Sequence, residues 1–185
     1  REKYEEMKKD FVVEEADAEA VNEAVKSGKL RQIASGFIYT EGKAYSLDDK
    51  RFIEAKRWQT GLEGECGIIF YEYEEHFLQL ANLDSVTGDV SEFKEGNHQL
   101  LLAQFNSLSH GIEGLQYLTN FICFYAPLWS RDAREQSVGR VWRQGQIKAV
   151  TVTDIVCNQT LDDVVISRVQ GNADWMDKFM DHMTG

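Results

Sequence analysis

Four short, dense apolar runs constrain this chain more than any other feature. They are Gly67-Ile68-Ile69-Phe70-Tyr71 and residues 100–105, 120–125 and 150–156. Each is too short for a buried helix and too apolar for a half-exposed strand, so each reads as a strand covered on both faces. Helix-compatible stretches over residues 74–81, 114–118 and 132–143 separate them. Strands alternating with helices predict a parallel α/β sheet with helices packed on it. Thr160, followed by Asp163, predicts a helix N-cap, with the helix running to about Val169. Gly171 and Asn172 then break the pattern before a last short helix near residues 175–180.

Residues 1–62 read differently. Tyr4, Met7, Phe11 and Val12 recur at helical spacing, as do Ala20, Val21, Ala24 and Val25. A helix over residues 29–38, stopped near Gly36, and another over residues 47–59, with Asp48 and Asp49 near its start, complete a helical lead-in. The expected division is therefore a helical extension over 1–62 and an α/β lobe over 63–185. Phe11-Val12-Val13-Glu14-Glu15-Ala16-Asp17 mimics a strand ending in metal-binding acids, but the charge around it reads as a solvated acidic helix. The first residue is Arg1 rather than Met, so the chain is expected to be part of something longer.

Twenty basic and 31 acidic residues give a net charge of −11, which argues against general nucleic-acid binding. The balance is uneven. Residues 1–25 carry four basic and nine acidic side chains, whereas residues 127–150 carry five basic and two acidic ones. That local basic strip is more informative than the total. Cys66, Cys123 and Cys157 are far apart, form no CxxC pair and do not cluster with the four histidines, so a zinc site is not expected and three reduced, buried thiols are. No leader opens the chain and no apolar run is long enough to span a bilayer, so a cytoplasmic setting without membrane contact is expected.

Two segments carry chemistry. Gln136-Ser137-Val138-Gly139-Arg140-Val141-Trp142-Arg143-Gln144-Gly145-Gln146 is expected to place Gln136, Arg140 and Arg143 on one face of the helix over residues 132–143. Two guanidiniums and an amide suit a multi-oxygen anion such as a triphosphate; a solvated basic helix is the alternative. Ser107-Leu108-Ser109-His110-Gly111-Ile112-Glu113-Gly114-Leu115-Gln116 follows a strand directly, where open α/β sheets bind ligands and glycines admit a phosphate; a plain turn is the alternative. No G-x-x-x-x-G-K-[ST] phosphate loop exists, since Gly28-Lys29 runs into Leu30 and Gly42-Lys43 into Ala44.

Together the two segments resemble motifs V and VI of superfamily-two helicases, most closely the Swi/Snf family of DNA-dependent ATPases. Against the motif V pattern S-T-x-A-G-G-x-G-L-N, Ser107, Gly111, Gly114 and Leu115 match, while Leu108, His110, Ile112 and Gln116 depart from it. Against the motif VI pattern Q-x-x-G-R-x-H-R-x-G-Q, Gln136, Gly139, Arg140, Arg143, Gly145 and Gln146 match, and Trp142 replaces the histidine. Residues 67–73 resemble motif IV, residues 124–129 the strand and turn joining V to VI, and Thr160-Leu161-Asp162-Asp163 the helix start after the last strand. Residues 29–39 resemble the segment opening the second lobe in phage and bacterial members.

The resemblance implies a RecA-like three-layer lobe of P-loop NTPase type without its own phosphate loop. It would be the second lobe of a two-lobed motor, partnered by an N-terminal RecA-like lobe holding ATP and Mg²⁺. It assigns Arg143 as the main arginine finger, Arg140 as its partner on the phosphates and Gln136 as an orienting group. It assigns Gly111, Glu113, Gly114 and Gln116 to the nucleotide side, with Glu113 directed at the ribose. Ser107, with Asn106 and Ser109, would contact the phosphate backbone of DNA, duplex and without sequence preference. Trp129 and Trp142 are expected to pack rather than stack on bases. A cytoplasm of a bacterial or phage-infected cell is the implied setting. Outside that family reading, the substitutions in the 107–116 segment leave a non-catalytic α/β binding module as the alternative. A small-molecule enzyme built on Ser109-His110 is disfavoured, because neighbouring side chains point apart and no G-x-S-x-G elbow exists.

Overall fold

The computed structural model describes residues 1–10, 12–13, 18–19, 23–105 and 113–184. In chain order the elements are α1 (Glu2–Asp10), β1 (Val12–Val13), β2 (Ala18–Glu19), α2 (Glu23–Ala34), β3 (Phe37–Thr40), β4 (Lys43–Ser46) and α3 (Lys50–Gly61). There follow β5 (Gly67–Tyr71), α4 (Glu74–Leu80), β6 (Val86–Thr87), α5 (Val90–Lys94), β7 (Leu100–Gln104) and a 3₁₀ turn (Leu115–Tyr117). The last elements are β8 (Phe121–Phe124), α6 (Arg131–Val138), β9 (Thr151–Asp154), α7 (Leu161–Val169) and α8 (Trp175–Thr184). They form two compact units: Phe52–Ile155, and Arg1–Arg51 together with Val156–Gly185.

The Phe52–Ile155 unit holds a five-stranded sheet in the order β6-β7-β5-β8-β9, every pair parallel. All four apolar runs form strands, and the first of them, β5, is the central one. Alternation along each strand builds two cores. Ile68, Phe70, Leu101, Ala103, Ile122 and Phe124 face one side, where they meet Phe93 of α5, Leu115, Leu128 and Val141. Ile69, Leu100, Leu102, Cys123 and Tyr125 face the other, where Ala55 and Leu62 from the α3 side and Leu80 of α4 cover them. Each such buried Ile, Leu or Phe contributes about 1.5–3 kcal/mol relative to exposure. Helices on both faces of a parallel sheet give the three-layer, RecA-like α/β architecture the sequence predicts.

The other unit corrects the helical reading of the first third of the chain. β3 and β4 form an antiparallel hairpin, Phe37 opposite Ser46 and Thr40 opposite Lys43. The two-residue turn is Glu41-Gly42, both at positive φ (50° and 77°), the geometry of a tight hairpin turn. α2 therefore ends at Ala34 rather than Ile38. Gly36 (φ 85°) sits just past its end, where a Cβ would lie 2.5 Å from the Asp48 carbonyl oxygen. Val12–Val13 pairs with Ala18–Glu19 as a short antiparallel ribbon, so Val12 and Val13 do not lie in the acidic helix expected, the other residues of that 11–17 segment lying outside the described ones.

This unit's core joins Tyr4 and Met7 of α1, Leu30 and Ile33 of α2, Ile38, Leu161 and Val164 of α7, and Met183 of α8. Thr160 caps α7 as expected, its hydroxyl accepting from the Asp162 amide. Inside lies an ion pair, Arg51 to Asp162 at 2.5 Å, with both side chains 4% exposed. Arg51 also donates to the Ala34 carbonyl (2.9 Å), and Asp162 accepts from the Cys157 amide (2.9 Å).

Candidate functional site

α6 starts at the carboxyl edge of the sheet and runs back to the amino edge. Ser130 caps its start by accepting from the Ala133 amide. One turn in, Arg134 clasps Asp154, the last residue of β9, with two hydrogen bonds of 2.5 and 2.7 Å, and its guanidinium lies 4.3 Å from the Phe124 ring centroid. The helix ends at Val138, five residues short of the stretch expected to reach Arg143. The chain then continues in tight turns, with the amides of Val141 and Trp142 both bonded to the Val138 carbonyl (3.0 and 2.8 Å). Arg140 and Arg143 thus do not share a helix face. Val141 is fully buried in the core, and its inward side chain throws Trp142 and Arg143 outward.

The next turn is fixed by two residues of the motif VI resemblance. The Gln146 amide donates to the Arg143 carbonyl (3.1 Å), with Gly145 at φ 100°. A side chain at 145 is strained by that backbone conformation, and a Cβ, 2.6 Å from the Tyr117 hydroxyl oxygen, would also push that exposed ring aside. The Gln146 side chain donates to the main-chain carbonyls of Gln116 (3.0 Å) and Thr119 (2.9 Å) and accepts from the Lys148 amide (2.9 Å). Thr119 in turn donates to the carbonyl of Cys66, immediately before β5, and Asn120 donates to the Ala149 carbonyl. These partners all lie where chain enters the strands. The Arg143 turn is therefore tied to the amino edge of the sheet, opposite the carboxyl edge where open α/β sheets bind their own ligands.

The expected site residues are placed as follows. Gln136 and Arg143 are exposed, Arg140 is half-buried, Glu113 is exposed and Gly114 is half-buried at φ 92°. Gln116 is buried, and its amide oxygen accepts no hydrogen bond among the described residues. Leaving a buried acceptor unmet costs about 1–3 kcal/mol. Asn106, Ser107, Ser109 and Gly111 lie outside the described residues. The two expected segments meet through the main-chain carbonyl of Gln116. No hydrogen bond or ion pair joins Gln136 to Arg143 among the described residues.

Ion pairing redistributes the basic strip. Arg131 pairs with Glu135 (2.8 Å), Arg134 with Asp154, and Lys148 with Glu65 (3.2 Å). Arg143 pairs with no acid among the described residues, which leaves its guanidinium open to an external anion. Sequence spacing could not separate Arg134 from the other arginines, because its partner lies 20 residues away on another element.

The Trp142 expectation is overturned. Its side chain is 73% exposed, beside Tyr117 at 71% and Ile147 at 96% on the same pair of segments. Trp129 is half-buried. Cys123 is buried, and Cys66 and Cys157 are half-buried free thiols. Burial, followed by the charge of Glu65 for Cys66 and of Asp162 for Cys157, pushes both thiols above their usual range, away from nucleophilic use. Among the described residues no group of three His, Cys, Asp or Glu is placed to hold a metal ion, and no helix is long and apolar enough to cross a membrane.

No family model matches the chain. It is similar to protein p41 of Acyrthosiphon pisum secondary endosymbiont phage 1, 28% identical over 181 residues, which is 89% of this chain and 39% of that protein. The chain thus spans about two-fifths of the length of its phage relative. Among solved structures it is similar to the C-terminal part of the Fun30 ATPase domain, with a TM-score of 0.57 and 16% identity, over 72% of this chain and 51% of that one. At that identity the likeness is one of fold: a parallel α/β sheet flanked by helices.

Proposed function

We propose that this chain is the second motor lobe of a DNA-dependent ATPase, acting on ATP held by another lobe. The observation that carries this reading is the position of Arg143. It is exposed, without an acid partner among the described residues, and held on a rigid turn at the amino edge of the sheet. A lobe that bound its own nucleotide would use the carboxyl edge. A guanidinium fixed at the opposite edge suits a nucleotide presented by a neighbour. Further support comes from the fold likeness to the C-terminal part of an ATPase domain and from the length of the phage relative, which leaves room for a first lobe.

The chemistry required is modest. Water attacks the γ-phosphorus, the bond to the β–γ bridging oxygen breaks, and negative charge spreads over the γ-phosphoryl oxygens. Arg143 meets that charge with a planar fork of donors, and Arg140 assists from one turn earlier. Gln136, exposed on the last turn of α6, orients the approach. Mg²⁺ would neutralise phosphate charge on the partner lobe; the described residues here provide no ligand group for it. Ser107, with Asn106 and Ser109, would contact the DNA backbone, which gives binding without sequence preference that weakens steeply with salt.

The purified chain tests the half-site. It should bind duplex DNA in a salt-dependent manner and show no Mg-ATP turnover. Turnover by the chain alone, undiminished in Arg143→Ala, contradicts the reading. DNA binding that survives without any Arg143-dependent hydrolysis in the longer protein points to a non-catalytic module instead.

A further inference from the structure

The Arg143 side chain has no ion-pair or hydrogen-bond partner among the described residues, so its own main chain sets where the guanidinium points. That main chain is held from two sides. Upstream, the amides of Val141 and Trp142 bond to the Val138 carbonyl, and Val141 is buried in the core. Downstream, the bond from the Gln146 amide to the Arg143 carbonyl closes the turn on itself. The hold on the rest of the lobe is then made by side chains. Gln146 donates to the carbonyls of Gln116 (3.0 Å) and Thr119 (2.9 Å) and accepts from the Lys148 amide (2.9 Å). Tyr117 lies on Gly145, its hydroxyl oxygen 2.6 Å and a ring carbon 2.7 Å from where a Cβ would stand. The Lys148 pair with Glu65 is more than half exposed on both sides and adds little.

We infer that Gln146 is a positioning residue, with Tyr117 as its second contact: together they fix the direction in which Arg143 reaches the phosphates. The inference rests on the proposed half-site and adds to it two residues that act only through Arg143. Chemistry selects a glutamine here. The position must give two hydrogens to two carbonyls and take one from an amide, and a primary amide does all three. Glutamate offers acceptors alone, and lysine and arginine offer donors alone. Asparagine carries the right groups on a stem one methylene shorter. The tie leads inward through Thr119, whose hydroxyl donates to the Cys66 carbonyl (2.5 Å) and accepts from the Phe121 amide (2.9 Å). Gln146 therefore registers the arginine against the chain entering β5 and β8, the middle of the sheet. Catalytic groups need placement to within about 0.5 Å, and a misplacement of about 1 Å costs on the order of a hundredfold in rate. The phosphates are held by the other lobe, so a loosened Arg143 lowers the rate and leaves nucleotide affinity nearly unchanged.

The test uses a protein in which this chain is joined to the nucleotide-holding lobe, at saturating duplex DNA, and reads kcat and KM for ATP separately. Gln146→Leu keeps the bulk and removes every side-chain hydrogen bond. It should lower kcat about 10–100-fold and leave KM within about threefold. Tyr117→Ala changes a ring that is 71% exposed, so folding is not at stake, and should lower kcat about 3–10-fold. In an Arg143→Ala background neither substitution should change kcat by more than about threefold, because no guanidinium is left to misplace. A merely structural role carries its full loss into that background; that result, or an undiminished kcat in Gln146→Leu, overturns the inference. A second measurement needs no activity. Nitrogen-15 relaxation of the 185-residue chain should give the Trp142 and Arg143 amides order parameters of about 0.85, falling below about 0.6 in Gln146→Leu, with the β8 amides unchanged. Equal order in the two proteins also overturns it. Failure of the half-site reads out differently: Arg143→Ala then leaves the rate undiminished, while the order parameters still respond to Gln146→Leu.

Discussion

The side chain of Gln146 ties itself to Gln116: its amide donates to the Gln116 carbonyl at 3.0 Å and, with its second hydrogen, to the Thr119 carbonyl at 2.9 Å. One amide thereby locks the arginine-bearing turn to the segment that leads into β8. Removing it leaves two carbonyls without a donor. Gln146→Ala should destabilise the Phe52–Ile155 unit by about 1–3 kcal/mol, read by urea denaturation. Gln146→Glu should be worse than alanine, because a carboxylate presents acceptors to acceptors. Equal stability of all three would show that the tie is not maintained in solution.

Gly145 makes a second, independent prediction. At φ 100° and with Tyr117 where a Cβ would go, Gly145→Ala should cost about 1–3 kcal/mol. Part of that cost is the collision with Tyr117, and part is backbone conformation. A double-mutant cycle with Tyr117→Ala should recover only the collision. Strict additivity of the two substitutions would mean the ring does not press on the turn.

The buried pair of Arg51 and Asp162 governs the other unit. Asp162→Ala leaves a guanidinium uncompensated in a site 4% exposed and strips the Cys157 amide of its acceptor, so a loss of about 3–5 kcal/mol is expected. Thermal unfolding followed by hydrogen exchange should place that loss in α2 and α7 and spare the parallel sheet. A loss in the sheet instead would contradict the division into two units.

The same unit should respond to acid through His182. Tyr4 accepts from the Leu161 amide at 2.7 Å, and its hydroxyl shares a hydrogen bond of 2.5 Å with Nε2 of His182. Burial first, then the positive charge of Lys8, hold His182 below the usual histidine range. The folded state therefore binds fewer protons than the unfolded one. The contribution to stability is fully present above the unfolded histidine value of about 6.5 and is lost as the pH falls through the lower folded value. Corrected for the intrinsic pH dependence of amide exchange, protection of α1 and α8 should fall as the pH drops below about 6.5, and His182→Gln should flatten the response. Unchanged exchange in the wild type would remove His182 from this role.

The parallel sheet was legible because Ile68, Phe70, Leu101 and Ile122 sit in runs covered on both faces, a pattern no other element produces. The hairpin at Phe37–Thr40 and Lys43–Ser46 reads as helix in the sequence because Ile33, Phe37 and Ile38 keep a helical spacing, although Glu41-Gly42 forms the tight turn. The end of α6 was misread for a related reason. Arg140 and Arg143 are three apart, as on a helix, but the burial of Val141 decides the path, and burial of a single residue in a turn leaves no period to detect. Exposure of Trp142 was illegible for the same reason. The pairing of Arg134 with Asp154 joins elements far apart in sequence, so the sequence could count the strip's charges but not say which were already neutralised.

The most direct test of the account is DNA-stimulated ATP hydrolysis by a protein in which this chain is joined to the nucleotide-holding lobe that the proposal requires, wild type beside Arg143→Ala. The account predicts a duplex-dependent rate that falls about a thousandfold in the variant, with DNA affinity nearly unchanged. A rate that is undiminished in Arg143→Ala, or a wild type that hydrolyses no ATP in the presence of DNA, would contradict it.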